Sequence, residues 1–145
     1  MVKKMNKKNW HQYFMEITEK VSEKATCNRK HVGAIIIKDK RILATGFNGS
    51  IAGGLDCDES YHMMDGGHCV RTVHAELNAI VQCAKYGISC DGASMYINTF
   101  PCWSCFKTIV NAGIKKIYYK DDYEAHMRGN VQAVAIELGI ELEQL

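Results

Sequence analysis

A three-layer α-β-α fold, with a five-stranded mixed sheet covered by helices on both faces, is what this sequence predicts, as one domain over residues 1–145. Three observations carry that prediction. Apolar residues near the start recur at three- and four-residue steps, the period of a helix with one buried face. Short β-branched runs of strand length follow, and from residue 74 onward they alternate with helical segments. No linker, internal repeat or low-complexity tract interrupts the series.

The first helix covers residues around 9–25, with Trp10, Tyr13, Phe14, Ile17 and Val21 on its apolar side and Asn9 placed to cap its first turn. "HVGAIIIK" suits a buried strand, "RILATGFN" its partner, and "KDK" the hairpin turn between them. Residues 49–69, "GSIAGGLDCDESYHMMDGGHC", have no period and five glycines, and read as a long loop that is functional or braced. A helix from about 74 to 86 draws its apolar faces from Ala75, Leu77, Ala79, Ile80 and Cys83. "ASMYINT" is a strand, "CWSCFKTIVNAG" a helix ended by Gly113, and "IKKIYYK" a strand. Residues 123–138 form a last helix and "IELEQL" a last short strand. The strand–helix–strand units imply right-handed parallel crossovers, hence a mixed sheet.

Composition excludes several classes. Hydrophobic residues make up 47% and charged residues 23%, as in an ordinary soluble chain. A net charge of +2 gives no reason to expect a nucleic-acid partner. No apolar run is long enough for a membrane span, and the basic start "MVKKMNKKNW" leads into no apolar signal core. The expectation is a cytoplasmic protein. The seven cysteines then argue for metal or redox chemistry rather than a disulfide framework, with Cys83 and Cys90 as buried thiols.

The chemistry lies in "VHAELNAI" (73–80) and "FPCWSCF" (100–106), both at expected strand-to-helix junctions, where open α/β sheets gather ligands. Cys102 and Cys105 are one helical turn apart, so both sulfurs can point the same way, and a helix N-terminus favours thiolates. Pro101 fits the helix start. With His74 they make three ligands for a catalytic zinc whose fourth position is left for water. Glu76, two residues from His74, is placed to reach that water and pass its proton to a substrate nitrogen. A lone Cys-x-x-Cys reads equally as a structural half-site or a redox pair, but a redox pair leaves His74 and Glu76 without a purpose. His-x-Glu followed by Pro-Cys-x-x-Cys is the pattern of zinc nucleobase deaminases.

On these motifs, together with "TCNRKHVGAIIIK", "TGFNGSIAGGLDC" and "GHCVRTVHAELNAI", the chain resembles the deoxycytidylate (dCMP) deaminases of the cytidine-deaminase-like superfamily, especially those of bacteria and phages. The resemblance runs from about Cys27 to Tyr123. It implies a hydrolase of pyrimidine metabolism that converts dCMP to dUMP for thymidylate synthesis, with Glu76 as proton shuttle and zinc-bound hydroxide as nucleophile. It further implies that Asn48 holds the sugar 3′-hydroxyl and that Ala75 offers its backbone to the pyrimidine. Tyr123 would stack on the base or reach the phosphate, and Arg29 would meet the 5′-phosphate. A homo-oligomer, often a hexamer, is implied too, as are dCTP and dTTP effectors with magnesium at the region around Asn48 and Gly49. Asn78 reads as a hydrogen bonder bracing the neighbouring loop.

Cys27, Cys57, His62, His68 and Cys69 bracket the glycine-rich loop, which has too few apolar residues to hold itself. Related deaminases with this loop resemble a pattern of two cysteines and a downstream histidine around a second, structural zinc. The favoured set is Cys27, Cys57, His62 and Cys69, with His68 as the substitute ligand.

Overall fold

The computed structural model describes residues 2–145. Helix α1 (Trp10–Ser22) begins where Asn9 accepts the Gln12 N–H at 2.8 Å. Strands β1 (Gly33–Lys38) and β2 (Arg41–Phe47) form the expected hairpin, with Asp39 and Lys40 at φ of 52° and 60° in the turn. Then come β3 (Gly49–Ser50), β4 (Met64–Asp65), β5 (His68–Cys69) and β6 (Thr72–Val73). The chain continues through α2 (Ala75–Tyr86), β7 (Ser94–Thr99), α3 (Trp103–Asn111), β8 (Lys116–Asp121), α4 (Arg128–Leu138) and β9 (Glu141–Gln144).

The main sheet has five strands in the order β2-β1-β7-β8-β9. β1 is antiparallel to both its neighbours, whereas β7, β8 and β9 run parallel, which makes the sheet mixed as predicted. The period-two alternation of a strand sorts its residues between two cores. Ile35 and Ile37 join Tyr96 and Tyr118 under Phe14 and Met15 of α1. Ala34 and Ile36 face the other way, with Met95, Ile97 and Ile117, onto α2, α3 and α4. One helix therefore covers one face and three cover the other. Cys83 and Cys90 lie in the second core as buried thiols. Among the described residues no helix is long and apolar enough to cross a membrane.

Two readings needed correction. The region read as a long loop without a period, 49–69, contains short paired segments: β3 lies against β6, and β4 against β5. Helix α4 starts at Arg128, not at 123. The five residues before it are engaged elsewhere. The His126 carbonyl accepts the Trp103 N–H at 3.2 Å, satisfying one of the unpaired donors at the start of α3, and Met127 is left-handed at φ 57°. This segment walls the site rather than extending the helix.

α2, which carries the site, sits unusually close to β2. A Cβ at Gly46 would overlap the Ala75 carbonyl and stand 2.5 Å from the Ala79 nitrogen, and backbone cannot give way as a flexible side chain can. Gly46→Ala is therefore expected to cost about 3 kcal/mol of stability, at the upper end of overpacking penalties. The check is a lower denaturant midpoint with an unchanged slope.

Candidate active site and a second metal centre

β6 delivers His74 to the N-terminus of α2, and Phe100–Pro101 carry the chain from β7 to Cys102 at the N-terminus of α3. Both residues occupy N-cap positions with extended backbones, yet neither side chain caps its helix. The imidazole and the thiol turn toward each other instead. His74 Nδ1 lies 3.2 Å from Cys105 Sγ and 3.6 Å from Cys102 Sγ, and all three donor atoms lie within 4.8 Å of one another. Zinc–nitrogen and zinc–sulfur bonds give a tetrahedron with edges of roughly 3.3–3.8 Å, so the three donors fit that ion.

The protons of this trio are already unevenly shared. The hydrogen bond from the Cys105 thiol, helped by His74, brings Cys102 down to about 4. The same bond, together with burial, pushes Cys105 far up. His74 is raised by its bond to Cys102. Glu76 stands on the first turn of α2 and is only 4% exposed. Burial pushes its carboxyl up, opposed by its own backbone N–H at the helix start and by His74. A cavity of about 620 Å³ opens over these groups, within the size range of small-molecule sites.

The other predicted contacts fall around this cavity in different ways. Asn48 is buried in its wall; its Oδ1 accepts the Val32 N–H at 2.8 Å and its Nδ2 donates to the Lys30 carbonyl at 2.7 Å. Ala75, fully buried, lines the floor beside Glu76. Tyr123 forms part of the wall and is 40% exposed. Arg29 is exposed at the rim, where its guanidinium reaches the Gly67 carbonyl at 3.4 Å. Gly49 pairs with Val73 across β3 and β6. Asn78 donates to the Phe47 and Val73 carbonyls at 2.8 and 3.3 Å, tying α2 to the strands that enter the site. Sequence reasoning did not single out Lys30, Thr99 or His126, all of which line the cavity. Lys30 is one of many lysines, and His126 fell in a segment read as helix.

The glycine-rich loop brings Cys27, Cys57, His62 and Cys69 together, with donor atoms again within 4.8 Å of one another. Cys27 Sγ is 3.7 Å from His62 Nδ1, and Cys57 Sγ is 3.8 Å from Cys69 Sγ, distances that suit a closed four-ligand zinc. The crowding shows in the thiols: burial and hydrogen bonds to Cys27 and Cys69 push Cys57 up to about 12. Cys69 falls to about 6, because hydrogen bonds from Arg71 and Met63 backbone, His62 and Cys57 outweigh its burial. His68 stands outside the four and lines the cavity instead. Adjacent residues of β5 point to opposite sides, so only one of His68 and Cys69 can face the cluster.

Three donors leave one corner of a zinc tetrahedron unclaimed, and a buried carboxyl adjoins it under a cavity of ligand size: fold and site together define a zinc-dependent hydrolase. A family model described as the cytidine and deoxycytidylate deaminase zinc-binding region matches residues 8–121. The chain belongs to that family. It is 45% identical over 141 residues to ComE operon protein 2 of Bacillus subtilis, covering 97% of this chain and 74% of that one. It is 32% identical over 127 residues to the deoxycytidylate deaminase of Mycobacterium phage D29, covering 79% and 97%. The dCMP deaminase of the cyanophage S-TIM5, solved in complex with dCMP and dUMP, superposes with a TM-score of 0.82 at 33% identity. That match covers 97% of this chain and all of the other.

Proposed function

We infer that the chain hydrolyses dCMP to dUMP and ammonia, the step that provides the precursor of thymidylate. The observation that carries this reading is the buried Glu76 beside the His74–Cys102–Cys105 trio, in a chain whose relatives include phage deoxycytidylate deaminases. Zinc bound by the trio would supply the Lewis acidity that activates water near neutral pH. Glu76 handles the protons. Its burial lets it hold a proton more readily than an exposed carboxylate does, so it can protonate N3 of the cytosine as a water oxygen adds at C4. It regains a proton from the attacking water and passes it to the amine; as the C4–N bond breaks and ammonia leaves, it takes the proton of the C4 hydroxyl and the carbonyl of uracil forms. Ala75 and Asn48 are read as backbone and sugar contacts, with Arg29 and Tyr123 toward the phosphate end.

The test is ammonia release from dCMP, deoxycytidine, cytidine and a cytosine-containing single strand, measured side by side with zinc-loaded protein. Turnover of dCMP above the others supports the reading, and turnover of the strand alone overturns it. The second cluster is read as a structural zinc that braces the loop. A homo-oligomer, with a hexamer favoured, is supported by apolar side chains that the loop exposes, among them Ile51, Leu55 and Val70. A light-scattering mass of one chain would overturn it. Regulation by dCTP and dTTP with magnesium near Asn48 and Gly49 rests on the family resemblance and is read from the dCMP saturation curve with each nucleotide added. A cytoplasmic setting is read from cysteine usage: five of the seven cysteines fall in the two metal clusters, as suits a reducing compartment.

A further inference from the structure

Lys30 stands in the cavity wall, outside both metal clusters. Its root is fixed, because its carbonyl accepts the Asn48 amide at 2.7 Å. Its ammonium lies 3.1 Å from the centroid of the Tyr123 ring, a cation–π contact. Among the described residues no carboxylate comes within 4.0 Å of this nitrogen. The residue is only partly exposed, so part of its hydration is lost without an ion-pair partner in return. An arrangement of that kind suits an anion that arrives from outside.

The charge of the ligand points the same way. A phosphate monoester bears close to two negative charges at neutral pH and calls for a cation in the cavity wall. Lys30 is the only lysine among the cavity's lining residues. Burial pushes its ammonium down, while the charge of Asp121 favours the protonated form. Arg29, the residue nominated by family resemblance, is exposed and directed to the Gly67 carbonyl, so it is the outer of the two cations.

We propose that Lys30, held over the face of Tyr123, is the specificity-determining cation for the 5′-phosphate of the substrate. This rests on the reading that the substrate is a nucleoside monophosphate. A lysine offers three donors on a flexible stem and can follow the phosphate, and Tyr123 then acts as the platform of that cation rather than as the stacking partner of the base.

The experiment compares wild type, Lys30→Met and Lys30→Arg, with thermal melts to show that each is folded. Two quantities are read: the kcat/KM ratio of dCMP to deoxycytidine, and calorimetric binding of dUMP against deoxyuridine. Losing a charge-assisted hydrogen bond to phosphate should lower the dCMP preference of Lys30→Met at least about 10-fold. Its dUMP affinity should fall by a similar factor more than its deoxyuridine affinity, and Lys30→Arg should keep most of both. Equal losses on the phosphorylated and unphosphorylated ligands would overturn the proposal and place Lys30 with Glu76 or with the fold. A wild-type phosphate preference that Lys30→Met retains overturns it as well. If wild type shows no preference at all, the substrate reading falls together with this inference.

Discussion

Glu76→Gln is expected to lower kcat for dCMP by about 10²–10⁴-fold, the range of a lost general acid–base, with zinc content unchanged. The metal should stay because Glu76 is not among the clustered donors; His74, Cys102 and Cys105 would hold the ion without it. Glutamine nearly keeps the volume of the side chain and replaces the titratable carboxyl with an amide that cannot shuttle protons. At a site 4% exposed, replacing an ionisable group with a neutral one relieves a desolvation cost, so the variant should melt no lower than the parent. The pair of readouts separates two explanations that turnover alone confuses. Lost activity with lost metal means that α2 has moved, whereas lost activity with full metal means that proton transfer has failed. A variant that still deaminates dCMP near the parental rate sinks the assignment of Glu76, and the proton must then travel through another group.

The parts of this site that were legible in the sequence are those set by local rules. His74 and Glu76 are two residues apart at a helix start, and Pro101 sets the start of α3 just before its first turn. Their spacing carries the chemistry wherever the chain folds, and α1 with its Asn9 cap is legible for the same reason. What could not be read depends on tertiary partners. The segment 123–127 has residues compatible with a helix, and only the Trp103 N–H waiting across the site makes its carbonyls more useful outside one. Lys30 looks like any solvated lysine until Tyr123, nearly a hundred positions away, is placed beneath it. Asn48 appears in sequence, through the family resemblance, as a sugar ligand. Its two bonds to Val32 and Lys30 add a bracing role that no motif encodes.

The second cluster raises the last expected result. The purified protein should hold two zinc ions per chain by elemental analysis, and Cys57→Ser should hold about one. Apart from Arg71, which donates to the Tyr61 and Leu55 carbonyls and to the Ser60 hydroxyl, the loop around this cluster has little else to order it. Its segments β4 and β5 are two residues each, and Ile51, Leu55, Tyr61 and Val70 point outward rather than into a core. Structural zinc sites are worth on the order of 10 kcal/mol or more where they are the main organising force, so losing one here should release the loop rather than trim its stability. The expected signs are rapid proteolytic cutting between residues 51 and 70 and a lower melting temperature. Catalysis should suffer through binding. Cys27, Asp65, His68 and Cys69 all line the substrate cavity, so a loosened loop raises KM for dCMP by at least about tenfold while the His74–Cys102–Cys105 zinc remains. Cys90→Ala is the control: it removes a buried thiol outside both clusters and should leave the metal count at two. If the wild-type protein holds only one ion per chain and Cys57→Ser keeps an intact loop, the four donors are crowded for packing alone and the loop is held by contacts such as those of Arg71.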